Sequence, residues 1–424
     1  MALTPFSIQP SLSFDDFATT TFYNQYLALD IDIKSSFILE RFLLTNEVSP
    51  LSEAVKALGA LAIPQSRSNR SMVVRARRKY ASALRLTNEA LADPSRAAGD
   101  DVLLTILLLS MWEMIEFEGP TSLLSWNIHV EGAAKLLELR GVEALQSPFG
   151  QVLFGRLRGA LLISCLSKDC EVPDSLLRLS QTLRGMLNET SDLASDLTLI
   201  ASRLCSLRGD IRKGLLTDDE INQQLLDLDA AAELWEASLP AHYEITHITR
   251  SPSAESIVYG QTYHMYDSAS TAMIWNNYRA IRVMLNIDFL LFSQQSTPTA
   301  ELQAAQARSV EQLGSMSTDI AASIPWFLGS ETETEFTVTQ GLGVLWFLYI
   351  VAQAGTMLPP ELFWWIIRQL RRIDQVAGIR QAGVMADLAE QGEEIAVWGG
   401  MVRKSIYPRL SPSRSRVWKV QNEL

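Results

Sequence analysis

A chain of 424 residues with a formal net charge of −12 lacks the basic balance that nucleic acid or an anionic membrane surface rewards. Its hydrophobic fraction of 47% is ample for a core, and three cysteines cannot make a disulfide framework. Buried free thiols in a reducing compartment fit that count, and no stretch reads as a secretory signal or a transmembrane helix.

In chain order, residues 1–20 read as an extended, Ser/Thr-rich arm that Phe6, Phe14 and Phe17 dock. Phe22–Leu44 reads as one or two helices, and Glu53–Ile63 as a short amphipathic helix ended by Pro64. A polar loop, SRSNRSM, precedes a helix over Val73–Ala92 that stops at Asp93-Pro94. The basic run from Arg67 to Arg85 lacks aromatic interleaving and reads as a solvated face rather than a phosphate contact. Asp100–Ile115 is apolar almost all round, as a helix buried on most sides must be. After Gly119-Pro120 a second helix carries Trp126, His129, Ala133, Leu136 and Arg140 on one face and ends at a capping glycine, Gly141. His129 reads as a buried structural histidine near Glu113 or Glu116, and Arg140 as a tie between helix ends.

Phe149–Ser167, Pro173–Leu187 and Ser191–Leu207 continue as helices. Thr217-Asp218-Asp219-Glu220 is a helix start, with a Thr cap, acids in the first turn and Glu at the third position. Pro240–Glu255 reads as an irregular loop with His242 and His247. Ile257–Leu291 reads as one long helix or a kinked pair, followed by helices over Thr299–Ile324, Gln340–Ala354, Glu361–Ala377 and Gly378–Ala396. Residues 408–424 form a basic, Ser-rich tail. No stretch shows the alternation of a convincing sheet. The expected fold is all-α, a single large multi-helix bundle of antiparallel pairs over residues 21–407.

Four stretches carry a family resemblance. Trp126-x-x-His129-x-x-Gly-Ala-x-x-Leu-Leu-x-x-Arg140-Gly, with the acidic-flanked Leu-rich helix before it, resembles the regulatory domain of fungal zinc-cluster transcription factors. Ala76–Asp93 resembles the helix before that core. Trp275–Leu291 resembles the family's Trp-Asn-x-x-Arg-x-x-Arg segment, and Leu345–Leu388 its C-terminal helices. The likeness covers roughly residues 30–405. One departure matters: a zinc cluster of this class needs six thiolates for two metal ions, and this chain has three cysteines. Met1 also stands only a short arm before the domain, which leaves little room for a DNA reader.

The stretch richest in chemistry is Tyr259–Arg282. As a helix it sets Tyr259, Tyr263 and Tyr266 on one face at i, i+4, i+7, with His264, Trp275, Asn276, Tyr278 and Arg279 close by. Such a wall suits a hydrophobic, oxygenated small molecule; ordinary core aromatics with satisfied polar tips would look the same. Trp346, Tyr349, Trp364 and Trp365 are candidates for an opposite wall. No nucleophile elbow, phosphate loop or dinucleotide fingerprint is present.

Two functions follow. The first is a cofactor-free, metal-free cyclase of fungal secondary metabolism, as some zinc-cluster-less relatives resemble. It would template a Diels–Alder or hetero-Diels–Alder closure, with His264 and Tyr263 as catalytic donors and Tyr259, Trp275, Asn276, Tyr278, Arg279, Trp346 and Tyr349 binding substrate. The alternative is a transcriptional regulator without a zinc-cluster DNA reader, acting through protein partners. The cyclase is the expectation from sequence, with no direct DNA binding, no membrane, room for a homo-oligomer, and a cytoplasmic location, or a nuclear one for a regulator.

Overall fold

In the computed structural model, the described residues are 13–26, 48–63, 69–145, 147–185, 189–249, 257–330 and 335–391. They hold fifteen α-helices and one two-stranded hairpin, so the fold is all-α as the pattern predicts. The tail at 408–424, most of the arm and much of the helix expected over Phe22–Leu44 lie outside the described residues. The chain divides into two compact units, with the division at Leu109/Ser110.

The first unit contains α1 (Phe14–Tyr26), α2 (Pro50–Leu61), α3 (Arg70–Leu91), α4 (Pro94–Ala97) and the start of α5 (Asp100–Ile115). Helix α1 begins inside the stretch expected to be extended. A reciprocal cap starts it, with Ser13 Oγ accepting from the Asp16 N–H and Asp16 accepting from the Ser13 N–H. Lys79 Nζ on α3 lies 2.8 Å from Asp15 and 3.1 Å from Glu53 of α2, binding the three helices with one ammonium group. Arg75 lies over the Phe14 ring at 3.7 Å. A side-chain carbon at Gly59 would stand 1.9 Å from the Ala18 carbonyl oxygen, so α1 and α2 approach this closely only because residue 59 is glycine. Arg77, Arg78 and Arg85 of the basic run are exposed, and Arg85 pairs with Glu89 one turn on.

The second unit carries the rest of α5, then α6 (Pro120–Arg140), α7 (Pro148–Lys168), α8 (Asp174–Thr182), α9 (Glu189–Lys213) and α10 (Asp218–Ala237). Strands β1 (Thr246–Thr249) and β2 (Thr262–Met265) follow, then α11 (Ala269–Phe292), α12 (Ala300–Leu328), α13 (Val338–Gln353), α14 (Pro360–Ala377) and α15 (Arg380–Glu390). The start read at Thr217 is a full capping box, with Thr217 and Glu220 each bonding the other's backbone N–H. Helix α11 is the axis of this unit, packing on α9, α10, α12 and α13 and burying eighteen of its twenty-four residues. Near its ends the unit is tied by Glu116, 4% exposed, accepting from Arg380 at 3.2 Å. One helix segment, Phe149–Lys168, is long and apolar enough to cross a membrane by length and composition, which the sequence reading did not allow; over half of it is buried within the protein.

Candidate functional site

The one long helix or kinked pair expected over Ile257–Leu291 is replaced by a strand, a short link and a helix. Gly260 takes φ +70°, and Thr262–Met265 pairs antiparallel with Thr246–Thr249, setting His247 opposite His264 and Ile248 opposite Tyr263. Ser268 then caps α11 by accepting from the Thr271 N–H. The strand's period of two places Tyr263 and His264 on opposite faces. Tyr259, Tyr263 and Tyr266 therefore share no helical face. Tyr259 instead packs edge-on against Trp365 at 5.9 Å, and the Trp365 indole donates to the Ile257 carbonyl at 2.8 Å.

What the fold does gather is a polar cluster between the hairpin, α11 and α12. Arg279, 2% exposed, donates from Nη1 to the Tyr266 hydroxyl at 2.7 Å and to Asn276 Oδ1 at 3.0 Å. Its Nη2 lies 3.3 Å from His264 Nδ1. A guanidinium only donates, so Nδ1 accepts and the histidine proton sits on Nε2, which faces Asp319 Oδ1 at 3.8 Å. Asn276 passes the chain on, donating to Ser323 Oγ at 2.9 Å, and Ser323 donates to the Ile320 carbonyl. The His247 ring meets His264 edge-on at 4.7 Å, and the Trp275 face lies 5.4 Å from the Arg279 guanidinium.

Electrostatics keep His264 neutral. Burial, then Arg279 and His247, lower its pKa to about 3. Burial raises Asp319, against the pull of Arg279 and His247. Burial also raises the Tyr266 hydroxyl, so the phenol is neutral and available to hydrogen-bond.

A second network lies one turn along α11. Arg282 bonds Asp229 through Nε and Nη2 at 2.8 and 2.7 Å, Glu233 at 2.8 Å and the Tyr278 hydroxyl at 3.0 Å. Tyr278 donates to Glu236 and stacks on Trp235 at 5.3 Å. Asp229, Glu233 and Glu236 stand at i, i+4, i+7 on α10, opposite Tyr278, Arg282 and Asn286 at i, i+4, i+8 on α11. A third pair, Arg208 on α9 with Asp288, closes the same helix from the other side at 2.8 and 3.0 Å.

The structure thus brings together His264, Asn276, Arg279 and the Trp275 ring. The Trp275 N–H is itself bound to the Tyr243 carbonyl at 2.8 Å. Tyr278 belongs to the acidic network, and Trp346 and Tyr349 contact each other on α13 at 5.6 Å. Trp364 is half exposed, while Trp365 is buried. Trp126 is buried, and burial lowers half-buried His129 to about 4. Next to them Ser164 of α7 donates to Asn127, tying α6 to α7. Sequence reasoning missed Asp319 and Ser323 because they arrive from a distant helix. The one available cue was a lone acid entering the apolar run Ile320–Leu328.

A family model described as fungal specific transcription factor domain matches residues 34–266, more than half of the chain. The matched range includes Trp126–Gly141 and the hairpin, while Trp275–Leu291 and Leu345–Leu388 lie beyond it. No curated protein and no solved structure matches the chain.

Proposed function

The chain belongs to the family of fungal specific transcription factor domains, and we propose that it acts as a regulatory domain of transcription that works through protein partners. The observation that carries this over the cyclase reading is how four of the candidate substrate-binding groups are used. Arg279, Asn276, Trp275 and Tyr278 spend their hydrogen-bonding tips on one another and on neighbouring backbone. A site built for cycloaddition needs donors aimed at a substrate carbonyl, and these are aimed inward. A satisfied buried polar network instead fixes one arrangement of helices, which a domain presenting a partner surface requires. With three cysteines, the chain holds half the thiolates of a zinc cluster, so DNA contact through such a module is not made by these residues. On this reading the place of action is the nucleus.

The cyclase reading keeps one supporting feature. Tyr263 is half-buried and its hydroxyl has no hydrogen-bond partner among the described residues, so it is a donor free to meet a hydrophobic, oxygenated molecule.

One paired experiment separates the two. The full chain is fused to a heterologous DNA-binding domain, and reporter transcription is measured in a fungal host. In parallel, the purified chain is incubated with a reactive polyene or quinone-methide precursor beside a no-protein control. The expected result is a reporter change of several fold with a product distribution equal to the control. An inert fusion with accelerated, selective ring closure that Tyr263→Phe slows would overturn the proposal and install the cyclase.

A further inference from the structure

The three cysteines do not enter the site above, yet the fold collects them at one place. Helix α7 ends with Asp169 in the left-handed region at φ 47°, the one residue other than glycine with positive φ among those described. Cys170 then donates its N–H back to the Cys165 carbonyl at 3.1 Å. This is the six-to-one bond of a Schellman ending, which sets the side chains of the first and last residues against each other. Those two residues are both cysteine. Cys165 is buried, Cys170 is half-buried and reaches solvent, and Cys205 on α9 has no exposure.

Cations cover the same end. Arg212 donates to the Lys168 carbonyl at 2.8 Å, so its guanidinium sits on the last turn. Lys168 pairs with Glu131, and Lys213 with Glu171 at 3.3 Å. A helix C-terminus by itself disfavours a thiolate, and these positive groups act against that dipole.

We propose that Cys165 and Cys170 are a thiol pair that hydroperoxides oxidise to a disulfide, with Cys170 as the attacking sulfur. Accessibility selects Cys170, since Cys165 and Cys205 are enclosed. Charge agrees: the hydrogen bond from Cys165 draws Cys170 below the ordinary thiol value against its burial, helped by Lys168 and Arg212, while burial raises Cys205 to about 12. The Cys170 thiolate attacks the terminal peroxide oxygen, forming an S–O bond and breaking O–O; the leaving alkoxide or hydroxide takes up a proton. The Cys165 sulfur then attacks the sulfenic sulfur. S–S forms, S–O breaks, and the departing hydroxide takes the Cys165 proton to leave as water. The two thiols give up two electrons, and one peroxide accepts them.

The pair closes a ring of six residues around Asp169, whose carbonyl faces α9 so closely that a Cβ on Gly209 would stand 3.6 Å from it. Oxidation therefore locks the end of α7 where it faces α9.

The test uses the full native chain and hydrogen peroxide. Intact mass and non-reducing peptide maps should show loss of two hydrogens and a Cys165–Cys170 link. Cys165→Ser should leave a sulfenic acid on Cys170 that dimedone traps. Cys170→Ser should abolish both products, and Cys205→Ser should change neither. Native alkylation should label Cys170 roughly tenfold faster than Cys205. A link to Cys205, or alkylation and oxidation of Cys170 only after unfolding in urea, would overturn the proposal and leave the thiols as packing alone.

Discussion

Replacing Arg208 with methionine is expected to cost about 3–5 kcal/mol, because it strands a buried carboxylate. Asp288 is 1% exposed, and its two oxygens accept from Arg208 at 2.8 and 3.0 Å. Burial already raises the Asp288 pKa despite that partner. Desolvation thus outweighs attraction, and the intact pair adds little stability over a neutral packing of the same volume. The cost appears when one member is removed. Two signs identify this cause in urea titrations. The deficit of Arg208→Met should shrink as pH falls and Asp288 protonates, and adding Asp288→Asn should recover more than half of it. A deficit that is the same at every pH would mean lost packing rather than stranded charge.

Acidification should weaken the second unit through His264. Its folded value lies near 3 against 6.5 for the unfolded chain, so below about pH 6.5 the unfolded state binds a proton that the native state refuses. Stability present above that value is lost as pH falls, levelling off near 3. The loss at about pH 5 is about 2 kcal/mol for a fully buried group. His129, lowered to about 4 but only half-buried, adds about 1 kcal/mol in the same direction after screening. The groups facing His264 are Arg279, Tyr266, His247 and Asp319. The carboxyls Asp319 and Asp288, both raised, work in the opposite sense, since each takes up its proton earlier in the folded state. Comparison with His264→Asn isolates the histidine, because an amide oxygen can accept from Arg279 and does not titrate. The fall in stability between about pH 7 and pH 5 should be flatter in the variant, and equal slopes would refute the assignment.

The helices were legible where local chemistry sets them. Thr217 with Glu220 and Thr299 before Ala300 both mark starts that the structure keeps, since a cap is written in three or four adjacent residues. The strand at Thr262–Met265 was not legible. Four residues of weak alternation, TYHM, give no period against the strong helix that follows, and the partner strand lies sixteen residues upstream. Gly260 and the Asp267-Ser268 start were the local marks of the break. The same error moved the candidate site: a helical face put Tyr263 beside His264, whereas a strand sends them apart. Arg279 and Asn276 were found because their family segment is helical in fact. Asp319 and Ser323 were not, because long-range polar partners leave no periodic trace.

The embedding of α11 has a consequence in time. Eighteen of its twenty-four residues are buried, and its partners on α10 are 42–57 residues away in sequence. No local fraying can release it, so its amides should exchange with deuterated solvent only through opening of the whole second unit, later than those of α8. Helix α11 then serves as an internal clock. When a protein partner docks, slowed exchange on the outer helices with an unchanged rate in α11 reports a footprint, and slowing of both reports global tightening.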